Sequence, residues 1–140
     1  MERIIKIVCF LILAMLPGTV DAQVNTNDGF NWNPIIDAII QVESEGKSRA
    51  VSGNSCGVMQ ITPVLVKDCN RILAKRRSKK RFKLSDRFSV KKSKEMFLLF
   101  QSFYNPMNSI EQAIRSWNGG VRYSIEKTQR YFDKVMKFIE

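Results

Sequence analysis

Glu43 is the residue around which chemistry could be built. It stands four residues after Ile39 and three after Ile40, in a stretch whose isoleucines recur at helical spacing. That spacing puts it on or beside the apolar face of a helix. Gly46 is the expected stop, so Glu43 falls in the last turn, where backbone carbonyl dipoles oppose a negative charge. Desolvation and a helix C-terminus both raise a carboxyl pKa. An acid still protonated near neutral pH is what general acid catalysis requires. The ordinary alternative is a rim glutamate reaching into solvent. Glu45, two residues further round the helix, reads as solvated.

Two other stretches offer groups that could hold a substrate. Gly57-Val58-Met59-Gln60-Ile61-Thr62-Pro63 places a glycine, which lets backbone approach closely, before an apolar Met59 and the amide of Gln60. An amide can donate to and accept from sugar hydroxyls and N-acetyl groups. Ser116-Trp117-Asn118-Gly119-Gly120 puts an aromatic face and a second amide at a helix end. Each has an ordinary reading as well: a loop-to-helix junction for the first, a core tryptophan for the second.

Composition limits the chemistry further. The 140-residue chain has no His, which excludes a Ser-His-Asp triad, a Cys-His dyad and any His-ligated metal. Neither GxxxxGK[ST] nor GxGxxG occurs, so no phosphate-cradling loop and no nucleotide cofactor is expected. Metal and cofactor are both expected to be absent. Two thiols left after export, without His, do not complete a zinc shell.

The elements that must position these residues read as helices. Asn33-Pro34 reads as an N-cap and first helical position, opening a helix that carries Ile35, Ile36, Ile39 and Ile40. Residues 46–57 read as a polar surface loop. Thr62-Pro63 opens a second helix, and a residue near Ser89 a third, which carries Met96, Phe97, Leu98, Leu99 and Phe100. Asn108 and Glu111 read as a capping box for a fourth helix, ending at Gly119-Gly120. Ser124 caps a fifth, with Ile125, Phe132, Val135, Met136 and Ile139 on its apolar side. No strand-length alternation stands out. The expectation is one compact all-α domain of about five helices.

The N-terminus reads as an address. Arg3 and Lys6 precede the apolar run Ile7 to Leu16, Pro17-Gly18 breaks it, and Val20-Asp21-Ala22 suits a signal peptidase. Residues 1–22 are therefore expected to be a signal peptide and 23–140 the mature domain, exported to the periplasm or the exterior after cleavage near Ala22. The run is short for a spanning anchor. An oxidising destination favours a disulfide between Cys56 and Cys69; two separate buried thiols are the alternative. Residues 75–94 hold eleven Lys and Arg with Asp86 the only acid, so the chain's net charge of +10 is concentrated there. Such a segment suits an anionic polymer, or is simply a solvated basic face.

Taken in order, the motifs resemble the catalytic domain of the soluble-lytic-transglycosylase (SLT) family, which is lysozyme-like. Ile39-Ile40-Gln41-Val42-Glu43-Ser44 looks like that family's first motif, and Gly57 to Pro63 like its Gly-Leu-Met-Gln-Ile-x-Pro. Ala113 to Gly120 is similar to its Ala-x-x-x-Tyr-Asn-Ala-Gly, and Thr128 to Val135 to its closing Thr-x-x-Tyr-Val-x-x-Val. The similarity runs from about Pro34 to Met136. It departs at Trp117, which stands where the family has a tyrosine whose hydroxyl lies near the catalytic acid. Gly119 in place of Ala is a milder departure.

The resemblance implies cleavage of peptidoglycan between N-acetylmuramic acid and N-acetylglucosamine. Glu43 would be the sole acid and then base, giving a 1,6-anhydro product. Ser44, Met59, Gln60, Trp117, Asn118 and Tyr131 would be substrate contacts or supports. Asp37 and Asp68 read as ordinary surface carboxylates. The resemblance also implies service to an envelope-spanning secretion or conjugation apparatus. Two other functions fit the sequence: a hydrolytic muramidase, and a non-catalytic binder of glycan or polyanion.

Overall fold

The computed structural model describes residues 29–139; the expected signal peptide lies outside the described residues. Five helices carry the fold: α1 Asn33–Ser44, α2 Pro63–Lys75, α3 Val90–Tyr104, α4 Ile110–Gly119 and α5 Ile125–Met136. None of them is long and apolar enough to cross a membrane. The all-α expectation holds, with one addition. Val51–Ser52 (β1) and Ser55–Cys56 (β2) pair antiparallel in the register Val51↔Cys56 and Ser52↔Ser55. Two-residue strands are too short to leave an alternation in sequence.

The side chains that end the helices explain most of their boundaries. Thr62, Ser89, Ser109 and Ser124 each accept a hydrogen bond from the backbone N–H three residues on, so each satisfies one donor that its helix leaves free. Two expected caps are corrected. Asn33 lies inside α1, and the Asn31 side chain accepts from its N–H at 3.1 Å. The cap of α4 is Ser109 rather than Asn108, which has a positive φ of 54°. A serine immediately before the first helical residue has its hydroxyl in reach of Gln112 N, at 3.2 Å.

The core lies where α1, α3 and α4 meet the loop before α2. Ile36, Ile39, Met59, Ile61, Ile72, Met96, Phe97, Leu99, Ile114 and Val135 are fully buried. At roughly 1.5–3 kcal/mol for each large apolar side chain, this cluster is the main force holding α1 against the loop. α5 is thinner than its periodicity suggests. Ile125 and Met136 are exposed, and only Thr128 and Val135 are buried.

Cys56 and Cys69 are both buried and free, so the expected disulfide is absent. Cys69 instead donates its thiol toward the Met96 carbonyl, 3.6 Å away. Burial, and secondarily the neighbouring Asp68, push its pKa up to about 12, which keeps it an inert thiol.

Candidate active site

Glu43 sits in the last turn of α1, half-buried. Its Oε1 accepts a hydrogen bond from the Tyr131 hydroxyl at 2.7 Å. Burial raises the Glu43 carboxyl above the ordinary carboxylate range, and the Tyr131 hydrogen bond offsets part of that rise. Burial, then the Glu43 charge, pushes the Tyr131 hydroxyl well above its ordinary value, so it stays a donor. The Tyr131 hydroxyl thus reaches the acid from α5, while Trp117 on α4 turns its indole N–H to Met59 O. The signal was present in the sequence: Thr128, Tyr131 and Val135 lie three and four residues apart, on the stripe of α5 that faces α1 and α4.

The neighbouring residues build the wall beside this acid. Ser44 is buried, and its hydroxyl donates to the Val58 carbonyl at 2.7 Å and accepts from Gly46 N at 3.2 Å. It ties the end of α1 to the loop. Met59 is fully buried, and its carbonyl accepts from the Trp117 indole N–H at 3.1 Å. Trp117 packs edge-on against Phe97 and Phe100. Ser44 and Met59 therefore act as supports through the backbone. Gln60 adopts a left-handed φ of 49°, held by its own amide, which donates to Gly57 O at 2.9 Å and Ala50 O at 3.1 Å. At Gly57, with φ of 81°, a Cβ would collide with the Arg87 carbonyl, so only glycine fits.

Arg87 fastens the other side of that loop. Its guanidinium donates to Asn54 O at 2.9 Å and Ile61 O at 3.3 Å. Part of the basic segment is therefore a strap over the site loop. Other members are also engaged: Lys80 with Glu95 at 2.6 Å, Lys92 with Asp86 at 3.4 Å, and Lys94 with Asp37 at 3.5 Å. Spacing alone could not separate these residues from solvated ones.

A cleft of about 530 Å³ opens between α2 and the end of α4. Gln60, Trp117 and Asn118 line it, with Val64, Leu65, Phe100 and Val121 as apolar walls and Lys67, Asp68 and Arg71 along α2. Glu43, Ser44, Met59 and Tyr131 are not among its lining residues. Ser44, next to the acid, donates to Val58 O, and the following residue, Met59, accepts from Trp117 on the cleft wall, so the two share the 57–60 loop.

Two groups were not anticipated. Asp68 accepts from the Tyr104 hydroxyl at 2.8 Å and from Arg71 at 2.6 Å, so it is not an isolated surface carboxylate. Arg115, 3% exposed, donates to Glu111, Ile125 O, Thr128 and Gln129 and lies over the Phe132 ring at 4.4 Å. It locks α4 to α5 and so sets where Tyr131 stands. A buried arginine must be fully paired, but its position in the sequence gives no sign of its burial.

The site thus joins a carboxylic acid in a low-polarity setting, a tyrosine donor, and a neighbouring cleft with amides and an aromatic wall. That is an arrangement for protonating a leaving oxygen on a bulky polar ligand. Searches among curated proteins and among solved structures return no match. The model of the transglycosylase SLT domain matches residues 22–137. The chain belongs to that transglycosylase family, whose substrate is peptidoglycan.

Proposed function

We propose that the protein is a peptidoglycan lytic transglycosylase with Glu43 as its one acid and base. The carrying observation is the half-buried Glu43 carboxyl, held by the Tyr131 hydroxyl at 2.7 Å and raised by burial above the ordinary carboxylate range. Glycosidases that add water usually work with two carboxylates across the bond. Among the described residues no second carboxylate is hydrogen-bonded to Glu43. Glu45 pairs with Lys47, Asp37 with Lys94, and Asp68 with Arg71.

In this reading Glu43 protonates the oxygen of the β-1,4 bond between N-acetylmuramic acid and N-acetylglucosamine. That bond breaks, and the muramoyl N-acetyl oxygen supports the positive C1. The Glu43 carboxylate then takes the proton of the 6-hydroxyl, and O6 bonds to C1 to close the 1,6-anhydro ring. No water enters. Gln60, Trp117 and Asn118 contact the strand, while Ser44, Met59 and Tyr131 hold the acid and its wall.

The test is the mass of soluble fragments from purified peptidoglycan, with wild type and Glu43→Gln side by side. Fragments one water lighter than reducing ends, from wild type alone, are expected. Reducing ends instead would make the protein a muramidase.

Since the substrate lies outside the cytoplasm, we read residues 1–22 as an export signal, and mass spectrometry of the secreted chain should begin it at Gln23. The exposed cations of 75–94 fit an anionic wall polymer, and binding that stays flat from low to high salt would exclude this. Service to a secretion or conjugation apparatus rests on the family resemblance. Its test is the transfer rate of cells carrying Glu43→Gln.

A further inference from the structure

The α2 wall of the cleft carries charge that glycan chemistry alone does not need. Lys67, Arg71 and Lys75 stand four residues apart, which sets them in one row along the helix. Lys67 and Arg71 line the cleft beside Asp68, its only lining acid. The row continues outward, with Arg71, Lys75 and Arg76 over the Phe103 ring at 5.9, 5.5 and 6.0 Å.

Arg71 is held in a particular way. Its Nε and Nη2 donate to Asp68 Oδ1 at 2.9 and 2.6 Å, and Nη2 also donates to the Tyr104 hydroxyl. That hydroxyl in turn donates to Asp68. Three of the guanidinium's five N–H groups are thereby used, and Nη1 keeps both of its hydrogens. A guanidinium fixed on one side loses less conformational freedom when it takes a ligand on the other. Lys67 has neither ion pair nor hydrogen bond among the described residues, so the positive charge of this wall exceeds what Asp68 neutralises.

The sugar backbone of peptidoglycan offers hydroxyls and N-acetyl groups, all neutral. Its anionic groups are carboxylates hung from the muramoyl residue, either the lactyl group itself or the peptide stem attached to it. We propose that Arg71, with Lys67 beside it, forms a carboxylate subsite that distinguishes muramoyl-bearing strands by this substituent. The proposal rests on peptidoglycan as the substrate. A purely structural Asp68–Arg71 pair, by contrast, would leave binding indifferent to the ligand's charge.

The test uses the purified chain carrying Glu43→Gln, which prevents cleavage, and titrates it with soluble strands. Three forms serve: peptide-bearing strands, peptide-free strands with a free lactyl carboxylate, and each of these with its carboxylates converted to amides. Adding Arg71→Gln should weaken binding of a carboxylate-bearing form about tenfold, the loss of one charge-assisted contact. Binding of the amidated forms should change less than about twofold. Loss on the peptide-free strand assigns the lactyl group, and loss confined to peptide-bearing strands assigns the stem. Equal loss on charged and amidated strands, or no loss on either, overturns the subsite. Arg71 is exposed, so its replacement leaves the core intact. Product mass tests the lyase chemistry separately: absent anhydro ends with intact discrimination would sink only the lyase, and the reverse only the subsite.

Discussion

Among the described residues two carboxylates, Glu43 and Asp68, accept a hydrogen bond from a tyrosine hydroxyl, and they stand in opposite electrical settings. Glu43 meets Tyr131 at 2.7 Å in a half-buried place with no cation bonded to it. Asp68 meets Tyr104 at 2.8 Å on the cleft wall, and Arg71 binds the same carboxylate at 2.6 Å. Burial without a cation raises the Glu43 carboxyl above its ordinary range, whereas Asp68 has an ionic partner in Arg71. The tyrosine is therefore not what makes a carboxyl a proton donor. The surroundings decide, and in the proposed reading the first pair transfers a proton while the second recognises charge.

The comparison breaks most sharply at Glu43. Glu43→Gln keeps the shape and the Tyr131 contact but removes the transferable proton. Lysis should fall by at least about a thousandfold, with an unchanged circular dichroism spectrum. Retained activity would falsify the assignment and move attention to another carboxylate.

Tyr131→Phe tests what the hydroxyl adds. Its hydrogen bond stabilises the ionised carboxylate, so losing it should raise the Glu43 pKa further. The alkaline limb of kcat should move to higher pH while kcat falls about tenfold. A limb that moves to lower pH would reverse the assigned sign.

The third effect is on stability. A carboxyl whose folded pKa is raised adds nothing below its unfolded pKa and costs stability as pH rises through the folded value. Glu43→Gln should therefore melt above wild type at neutral pH, with the gap closing as pH drops below the ordinary carboxylate range. Asp68→Asn should show no such gain at neutral pH, because it gives up an ion pair.

The smallest effect belongs to Tyr104→Phe. It should cost at most about 1 kcal/mol in denaturant melts and leave the alkaline limb of kcat where it is. A moved limb would join the two pairs into one network.

The reach of the sequence can be judged from particular residues. Helical spacing placed Ile35, Ile36 and Ile39 in the core, and the caps at Thr62, Ser89 and Ser124 stand where local chemistry puts them. The order of Glu43, Gln60 and Asn118 along the chain pointed to the family that residues 22–137 match. All of these are local quantities: periodicity, a side chain within three residues of a free donor, and motif spacing.

Contacts between distant segments were decided elsewhere. Tyr131 reaches Glu43 across 88 positions, and Trp117 reaches Met59 across 58. Whether Cys56 and Cys69 bridge and which basic residues strap the loop depend on how α2, α3 and the loop before α2 pack, and which acid loses water depends on how α1 and α5 meet. The sequence by itself determined the helices, the caps at Thr62, Ser89 and Ser124 and the acid's place in a last turn, because neighbours along the chain set those energies. Only the tertiary structure decided the acid's partner and the upward shift of its pKa, because burial and long-range hydrogen bonds exist only once the helices have met.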